Sequence, residues 1–310
     1  MKVLLRSFQV PEIAQCLMLK LLLTVLLFNS DSCFADIHSF AEKSLRIGFF
    51  LKSFPDVTRT DLDVGVKYWG EEIGKAKHIP VLINFYDDIE IMRSDFEQGK
   101  INYIVASAWV VATQFDRELL AEGFKASRIG ISLDNLIVVT RKDTHLNSFK
   151  QLAGKKLGTL NNDPITDAYL DVLSMANFGK PYKQFFSKPI QETKSTKLVI
   201  NLFFKNMDAI VTYQSPYELA MELNPQIKEQ THVIEQVSGI PWGTGYFHKK
   251  VDPAFRELVI TEATKIKDNI RGQQLIQIFN ADQFERSKLS DLDGTDVLKK
   301  RYLQLLHKLK

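Results

Sequence analysis

The chain has 310 residues, of which 45% are apolar and 25% are charged, so its composition is that of a globular protein long enough for two compact lobes. Its 40 lysines and arginines nearly balance its 37 aspartates and glutamates, which leaves a formal net charge of +3. This charge excludes a strong positive field of the kind that attracts nucleic acid, and we expect no nucleic-acid partner.

The first 35 residues have the pattern of an export signal. A basic Lys20 precedes the apolar run 21–28, and the stretch CFA at 33–35 is typical of a cleavage site. The apolar run is shorter than the roughly 20 residues that a membrane span needs. We therefore predict a signal peptide over residues 1–35, cleavage after Ala35 and a periplasmic mature chain. An uncleaved anchor is the alternative.

Two further features belong to this leader. Met18 stands directly before the apolar run and is a candidate for the true start. Both cysteines, Cys16 and Cys33, precede the predicted cleavage site, so the mature chain would have no disulfide, no thiolate nucleophile and no cysteine metal site. A lipoprotein interpretation of Cys33 is weak, because Asp31 and Ser32 precede it where an apolar and a small residue are needed.

Strands and amphipathic helices alternate in the first part of the chain. Apolar runs predict the strands, and apolar residues at helical spacing predict the helices. This alternation predicts right-handed β-α-β units and a mainly parallel sheet. The strands are expected at 45–51, 79–86 and 101–107, the helices at 61–73, 89–98 and 108–120, and a long extended segment at 130–141.

The same plan is repeated after residue 152. Pro164 suits the first turn of a helix over 164–175, which follows a strand that begins after the stretch LAGKKLG. The strand at 231–237 is predicted to return the chain to the first lobe. Other strands are expected at 182–187 and 207–213, and other helices at 193–204, 253–269 and 271–280.

The tail, residues 296–310, is predicted to be an amphipathic helix that docks on the fold, with a membrane-surface helix as the alternative. Its apolar face would contain Val297, Leu298, Tyr302, Leu305, Leu306 and Leu309. We predict a first lobe from residues 36–140 and 221–295 and a second lobe from residues 141–220.

Three local patterns add to this order of elements. They are LAGKKLGTLNNDPITDAYL at 152–170, MDAIVTY at 207–213 and VSGIP at 237–241. Together they resemble the type 2 periplasmic solute-binding proteins, and within these the phosphate/phosphonate-binding subfamily of ABC transporters. The resemblance implies an α/β fold of two lobes, with two mainly parallel sheets flanked by helices and a two-strand hinge. It also implies closure on one small-molecule ligand and delivery to an inner-membrane ABC permease.

The start of the helix in the second lobe departs from the subfamily pattern. Phosphonate binders have a Ser/Thr-Ser-Gly cradle there, whose hydroxyl and N–H groups hold the anion. The corresponding stretch here, 161–166, reads NNDPIT, with one hydroxyl and a carboxylate. A fixed negative charge within about 4 to 6 Å of a phosphoryl group would repel it, and Pro164 removes one N–H donor. The ligand is therefore either a phosphonate or phosphate ester, or a zwitterionic or cationic compound.

The candidate ligand-binding residues end strands or begin helices. Asp163 and Thr166 have a structural alternative as helix-start residues, and Tyr86 has one as a half-buried aromatic. Lys194 and Ser195 correspond to a Gly-Ser-His of the subfamily and could take over part of its anion binding. The full set is Tyr86, Ser107, Trp109, Asn161, Asn162, Asp163, Thr166, Lys194, Ser195, Tyr213 and Tyr217.

Three other residues have weaker support. Arg141 is the cation best placed to pair with an anionic ligand, and a hinge salt bridge is its alternative. Trp242 is a candidate with a core plug as its alternative, and Phe54 could cap the cleft.

A binding module is favoured over other classes of protein. The sequence has no G-x-S-x-G, no H-E-x-x-H and no glycine-rich phosphate loop, and its six histidines have no paired spacing for a metal. We predict a monomer without cofactor, metal or catalytic residues. The alternatives are a ligand-sensing protein for a signalling partner, an enzyme on the same fold, and an exported structural protein with an empty cleft.

Overall fold

The structure is a computed structural model. It describes residues 40, 43–54, 60, 64–65, 67–68, 77–128, 131, 133–186, 189–241, 243–268, 270–278 and 281–309. The predicted signal peptide, Met18, both cysteines and Trp242 lie outside these residues, as does most of the predicted helix at 61–73. No helix in the described ranges has the length and apolar character needed to cross a membrane.

The described residues contain twelve strands. In chain order they are β1 (Leu45–Phe50), β2 (Val81–Tyr86), β3 (Tyr103–Ala106), β4 (Leu120–Ala121), β5 (Gly123–Ser127), β6 (Leu133–Arg141), β7 (Leu157–Leu160), β8 (Ile190–Glu192), β9 (Ala209–Tyr213), β10 (Thr231–Pro241), β11 (Thr244–His248) and β12 (Gln283–Ser287).

Ten α-helices accompany these strands in the described ranges. They are α1 (Ile89–Glu97), α2 (Ala108–Gln114), α3 (Pro164–Phe178), α4 (Tyr182–Phe185), α5 (Ser195–Phe203), α6 (Gln214–Leu223), α7 (Pro225–Gln230), α8 (Pro253–Lys265), α9 (Ile270–Ile278) and α10 (Asp293–Lys308). Several begin as the sequence predicts: the Asp88 carboxylate accepts N–H groups from the first turn of α1, and Pro164 opens α3.

Two five-stranded sheets organise the fold. The first has the order β2-β1-β3-β11-β4 and the second β10-β6-β9-β7-β8, while β12 and β5 form a separate pair. In the first sheet β1 pairs in parallel with β2 and β3, and β11 is antiparallel to β3 and β4. In the second sheet β7 is parallel to β8 and β9, and β6 is antiparallel to β9 and β10. Each sheet is thus mixed, where the sequence predicts mainly parallel pairing.

Strand β10 belongs to the second sheet. It pairs antiparallel with β6 from Thr231 opposite Arg141 to Pro241 opposite Leu133. The predicted return of the chain to the first sheet at 231–237 is wrong, because β11 makes that return by pairing with β3. The pairing supplies hydrogen-bond partners to the edge of β6, which would otherwise be open. The lobe boundaries near residues 140 and 221 stay a prediction.

The aromatic run after Pro181 is helical. Residues 182–187 are predicted as a strand, but Tyr182–Phe185 forms helix α4, and the strand next to β7 is β8. The backbone N–H of Tyr182 donates to the Asp171 carboxylate at 2.9 Å, and the Phe185 ring stacks on Phe178 with ring centroids 3.7 Å apart. A short apolar run does not distinguish strand from helix by periodicity, and here contacts with α3 decide.

Apolar residues fill both faces of each sheet. One face of the first sheet packs against α8, through Leu45 and Val259, and the other packs against α1, through Phe96. Helix α10 contacts α2, α3 and β10, so it lies against elements that follow strands of both sheets. Leu298 and Leu305 of its predicted apolar face are buried, whereas Val297 is 68% exposed.

Candidate functional site

A cavity of about 220 Å³ lies where chain segments from the two sheets meet. Its wall is built from residues that follow β1, β3, β7, β8 and β9, together with the end of β10. In sheets with parallel strands, ligands bind beyond the carboxyl ends of the strands. The wall comprises Ser53, Ser107, Ala108, Leu160, Asn161, Asn162, Asp163, Pro164, Ile165, Thr193, Ser195, Tyr213, Pro216, Ile240 and Pro241.

Asp163 is the residue of this wall with the most defined surroundings. It directly precedes α3, and its Oδ2 accepts hydrogen bonds from the Thr166 hydroxyl at 2.7 Å and the Tyr213 hydroxyl at 3.1 Å. The preceding Asn162 has a left-handed backbone with φ of 53°, a conformation in which asparagine is enriched. The turn therefore brings the carboxylate to the end of β9, where Tyr213 lies.

Burial dominates the electrostatics of this group. Burial raises the pKa of the Asp163 carboxyl above its ordinary value, against the opposing effect of its hydrogen bonds with Thr166 and Tyr213. Burial and the nearby carboxylate together raise the pKa of the Tyr213 hydroxyl well above its usual range. Tyr213 is therefore a neutral hydrogen-bond donor to Asp163.

The cavity wall contains no lysine, arginine or histidine among the residues that the structure describes, and Asp163 is its one carboxylate. Its other polar groups are the hydroxyls of serine, threonine and tyrosine, the two asparagine amides and the backbone. An anionic ligand would meet neutral donors and a half-buried carboxylate, whereas a cationic group would meet a counter-charge.

Two serines form the part of the wall that belongs to the first sheet. Ser53 follows β1, and its Oγ accepts the backbone N–H of Ser107 at 2.9 Å. The Oγ of Ser107 is buried and has no hydrogen-bond partner within the described residues. The Ser107 side chain therefore turns its hydroxyl away from the open space of the cavity.

An open groove of about 850 Å³ continues from the cavity past Asn162, Asp163 and Pro164. Trp109 lies in it, with its ring edge-on to Tyr302 at a centroid distance of 5.8 Å. The charged residues of the groove, apart from Asp163, are Lys52, Asp167, Asp171 and Lys183.

The structure brings six of the eleven predicted site residues together in the cavity wall. Trp109 lies in the groove, and Thr166 is buried behind the wall, where it orients Asp163. The six in the wall are Ser107, Asn161, Asn162, Asp163, Ser195 and Tyr213.

Three predicted residues lie elsewhere. The Tyr86 hydroxyl donates to Asp95 at 2.9 Å beside α1, and the ring is buried in the core, so this residue packs as an aromatic of the fold, as its alternative has it, but is more deeply buried. The Tyr217 hydroxyl is 2.8 Å from the Thr231 hydroxyl in the core of the second sheet. Lys194 is exposed at the start of α5 and is not part of the cavity wall.

Arg141 is also outside the cavity. Its Nε is 3.1 Å from the Asp143 carboxylate, and its Nη1 donates to the backbone oxygens of Met207 at 2.5 Å and Leu202 at 3.3 Å. These contacts hold the end of α5 against β6, which agrees with the structural alternative for this residue.

Sequence reasoning missed other wall residues, including Ser53, Thr193 and Pro216. A signal existed for Ser53, because it follows a strand of the first sheet just as Ser107 does. Ile240 and Pro241 could not be found in this way, since their place depends on the pairing of β10 with β6. The described residues contain no group of three or more potential metal ligands.

Comparisons with solved structures identify the fold. A Xanthomonas citri protein, solved bound to chloride ion and bound to ATP, is 12% identical, with a TM-score of 0.57 over 86% of this chain and 99–100% of its own. The binding component of a phosphonate ABC transporter from Pseudomonas aeruginosa is 12% identical, with a TM-score of 0.54 over 87% of this chain and 90% of its own. PhnD1 of Prochlorococcus marinus, in complex with methylphosphonate, is 13% identical, with a TM-score of 0.54 over 84% of this chain and 99% of its own.

These likenesses confirm the predicted α/β fold of type 2 periplasmic binding proteins. No curated protein matches the sequence significantly. A sequence profile described as "ABC transporter, phosphonate, periplasmic substrate-binding protein" matches residues 53–292. Proteins of that family bind small molecules, work with ABC permeases and are not enzymes, which confirms the predicted solute-binding role. The chain belongs to the family of periplasmic substrate-binding proteins of phosphonate ABC transporters.

Proposed function

We propose that this protein captures one small polar solute in the cavity between its sheets and delivers it to an inner-membrane ABC permease. The observation that supports this most directly is the cavity wall itself, in which hydroxyl and amide groups from segments that follow strands of both sheets surround one space. Ser107 follows a strand of the first sheet, and Asp163 and Tyr213 adjoin strands of the second. One ligand could therefore contact both.

Capture would proceed by closure of the two lobes. The chain passes between the sheets in the segment before β6 and again between β10 and β11, so two neighbouring connections could act as the hinge. A ligand that contacts both sides favours the closed arrangement by its differential affinity for it. We propose that the lobe boundaries lie at these two connections, before Leu133 and after Pro241, rather than near residues 140 and 221.

The family acts in the periplasm. We propose that residues 1–35 direct export, that they are removed after Ala35, and that the mature protein is a monomer without nucleic-acid partners. The leader pattern and the net charge of +3 support these points. N-terminal sequencing of the secreted protein tests the cleavage site.

A thermal-shift screen combined with small-angle scattering tests the binding function. The panel would contain phosphonates, phosphate, sulfonates, amino acids and polyamines, and also ATP because a protein of the same fold is bound to it. A ligand at 100 times its dissociation constant should add about 2.7 kcal/mol to the free energy of unfolding. The same ligand should reduce the radius of gyration.

A matched pair of variants shows whether binding uses the cavity. Tyr213→Phe removes a hydroxyl from the cavity wall, whereas Tyr86→Phe removes one from the core beside α1. We expect the first variant to weaken binding and the second to leave it unchanged. No response to the whole panel, or a bound ligand without compaction, would contradict solute capture by closure.

A further inference from the structure

The Asp163 carboxylate is the one formal charge in the cavity wall formed by the described residues. It lies at the inner end of the open groove, so that it borders both spaces. Any ligand that enters from the groove and fills the cavity must pass or contact this group. The carboxylate of Asp163 therefore affects which charge the ligand can carry beside it.

The groups that stabilise the charge of Asp163 are all neutral. They are the hydroxyls of Thr166 and Tyr213, which donate to Oδ2, and the backbone N–H groups of Ile165 and Thr166 at the start of α3. Burying a carboxylate without a cation is unfavourable unless hydrogen bonds or a partner charge compensate. A positively charged ligand group would supply the missing compensation, whereas a phosphonate would add a second negative charge.

Within the described part of the chain, the lysines of the groove do not supply this compensating positive charge. Lys183 is 2.9 Å from the Asp167 carboxylate, one turn further along α3, and that carboxylate also accepts the Tyr182 hydroxyl. Lys52 lies in the groove, on the side of the first sheet, but forms no ion pair with Asp163. Lys52 is thus the competing internal partner that an experiment must control.

We propose that the ligand presents a protonated amine to Asp163 and binds as a cation or a zwitterion. This inference rests on the proposed solute-binding function and narrows its substrate class. The cavity volume of about 220 Å³ is below the roughly 300 to 1,000 Å³ of pockets for drug-sized ligands, so the compound is small. Neutral hydroxyls and amides, including those of Asn161 and Ser195, would bind its polar remainder.

Four compounds with the same four-carbon chain test the charge preference: butylamine, 4-aminobutyrate, butyrate and butylphosphonate. Calorimetric titration of the full-length protein at pH 7 should show binding of one or both amines. The two compounds that are purely anionic should bind at least about tenfold more weakly, because hydrogen bonds to a charged group contribute about this factor or more. This comparison needs no variant and does not depend on a mutant's folding.

Asp163→Asn removes the charge and keeps an oxygen that can accept the hydroxyls of Thr166 and Tyr213. It should weaken amine binding at least about tenfold and strengthen butylphosphonate binding. Glu118→Gln, which neutralises an exposed carboxylate outside the cavity and the groove, is the control and should leave amine binding within about threefold. Lys52→Gln tests the competing partner. A large gain in amine binding by Lys52→Gln would instead identify Lys52 as the partner of Asp163 and overturn the proposal.

Two other results separate this inference from the proposed function. If the wild type binds butylphosphonate more tightly than both amines, the amine requirement is wrong while solute capture stands. The same conclusion follows if none of the four compounds binds but an amine-free compound of the wider panel binds with compaction. If nothing in either panel binds, the proposed function itself fails and the inference fails with it.

Discussion

His248, at the end of β11, is a buried residue whose titration should affect stability. It is 1% exposed, its ring stacks on Phe40 with centroids 4.2 Å apart, and its Nδ1 accepts the backbone N–H of Lys250 at 3.1 Å. Burial, together with the charges of Lys250 and Lys249, lowers its pKa to about 4. The folded protein therefore holds this imidazole neutral.

Acidification should destabilise the protein through His248. In the unfolded chain the imidazole takes up its proton near pH 6.5, but in the folded protein only near pH 4, so the stabilising contribution is present above pH 6.5 and is lost as the pH falls towards 4. Between pH 7 and pH 4.5 the loss should be on the order of 2 kcal/mol. Urea unfolding at both pH values should show this loss in the wild type but not in His248→Gln.

The exposed His307 supplies the control for this measurement. His307→Gln should keep the wild-type difference between the two pH values. If His248→Gln loses as much free energy of unfolding on acidification as the wild type does, the buried neutral imidazole is not the cause.

At the residue scale the sequence indicates much of the cavity wall but cannot separate it from the core. Ser107 and Tyr213 end strands and line the cavity, whereas Tyr86 also ends a strand and bonds with Asp95 of α1. Successive side chains of a strand point to opposite faces, so a strand end alone does not say which space a side chain enters. The space that a side chain enters depends on partners that are distant in sequence, such as Tyr213 for Asp163.

At the element scale, α10 contacts helices that follow strands of each of the two sheets. It contacts α2, which follows β3, and α3, which follows β7. The half-buried Tyr302 packs edge-on against Trp109, and the Lys299 ammonium donates to the Ala112 backbone oxygen. The helix should therefore stabilise the arrangement of α2 relative to α3.

Removing the Tyr302 ring should weaken this arrangement. Tyr302→Ala loses a half-buried aromatic contact, so we expect the free energy of unfolding to fall by about 1 to 2 kcal/mol. The ligand-free protein should also become more expanded in small-angle scattering. Leu303→Ala is the matched control, because Leu303 is 52% exposed on the same helix and should change both quantities little. Equal effects of the two variants would show that α10 does not act through this contact.

The elements show which levels of structure a sequence can reveal. Strong periodicity and caps predict α1 and α3, and apolar runs predict β1 and β2, each within a few residues of where it lies. The partner of β10 is not encoded locally, because an apolar strand can complete either sheet until β6 is seen beside it. For the same reason, the pairing of β5 with β12, more than 150 residues apart in the chain, gave no local signal.

At the scale of the whole molecule, the order of strands and helices and three local patterns are enough to indicate the family. They leave open how firmly the two sheets are coupled. Residues 39–310 form one compact unit by their internal contacts. The ion pairs of Arg117 with Asp293 and Asp296 add a link between the segment after α2 and α10.

This coupling predicts that both sheets unfold together. Calorimetry should show one heat-absorption peak with equal calorimetric and van't Hoff enthalpies, and a saturating ligand should move the whole peak upwards. Arg117→Gln removes links between segments and should lower the midpoint of the peak, whereas Arg93→Gln should not, since Arg93 pairs with Glu90 and Glu97 of its own helix. Two separate peaks, or a ligand that moves only part of the transition, would mean that the sheets unfold independently, and closure would then have to arise from the ligand's contacts alone.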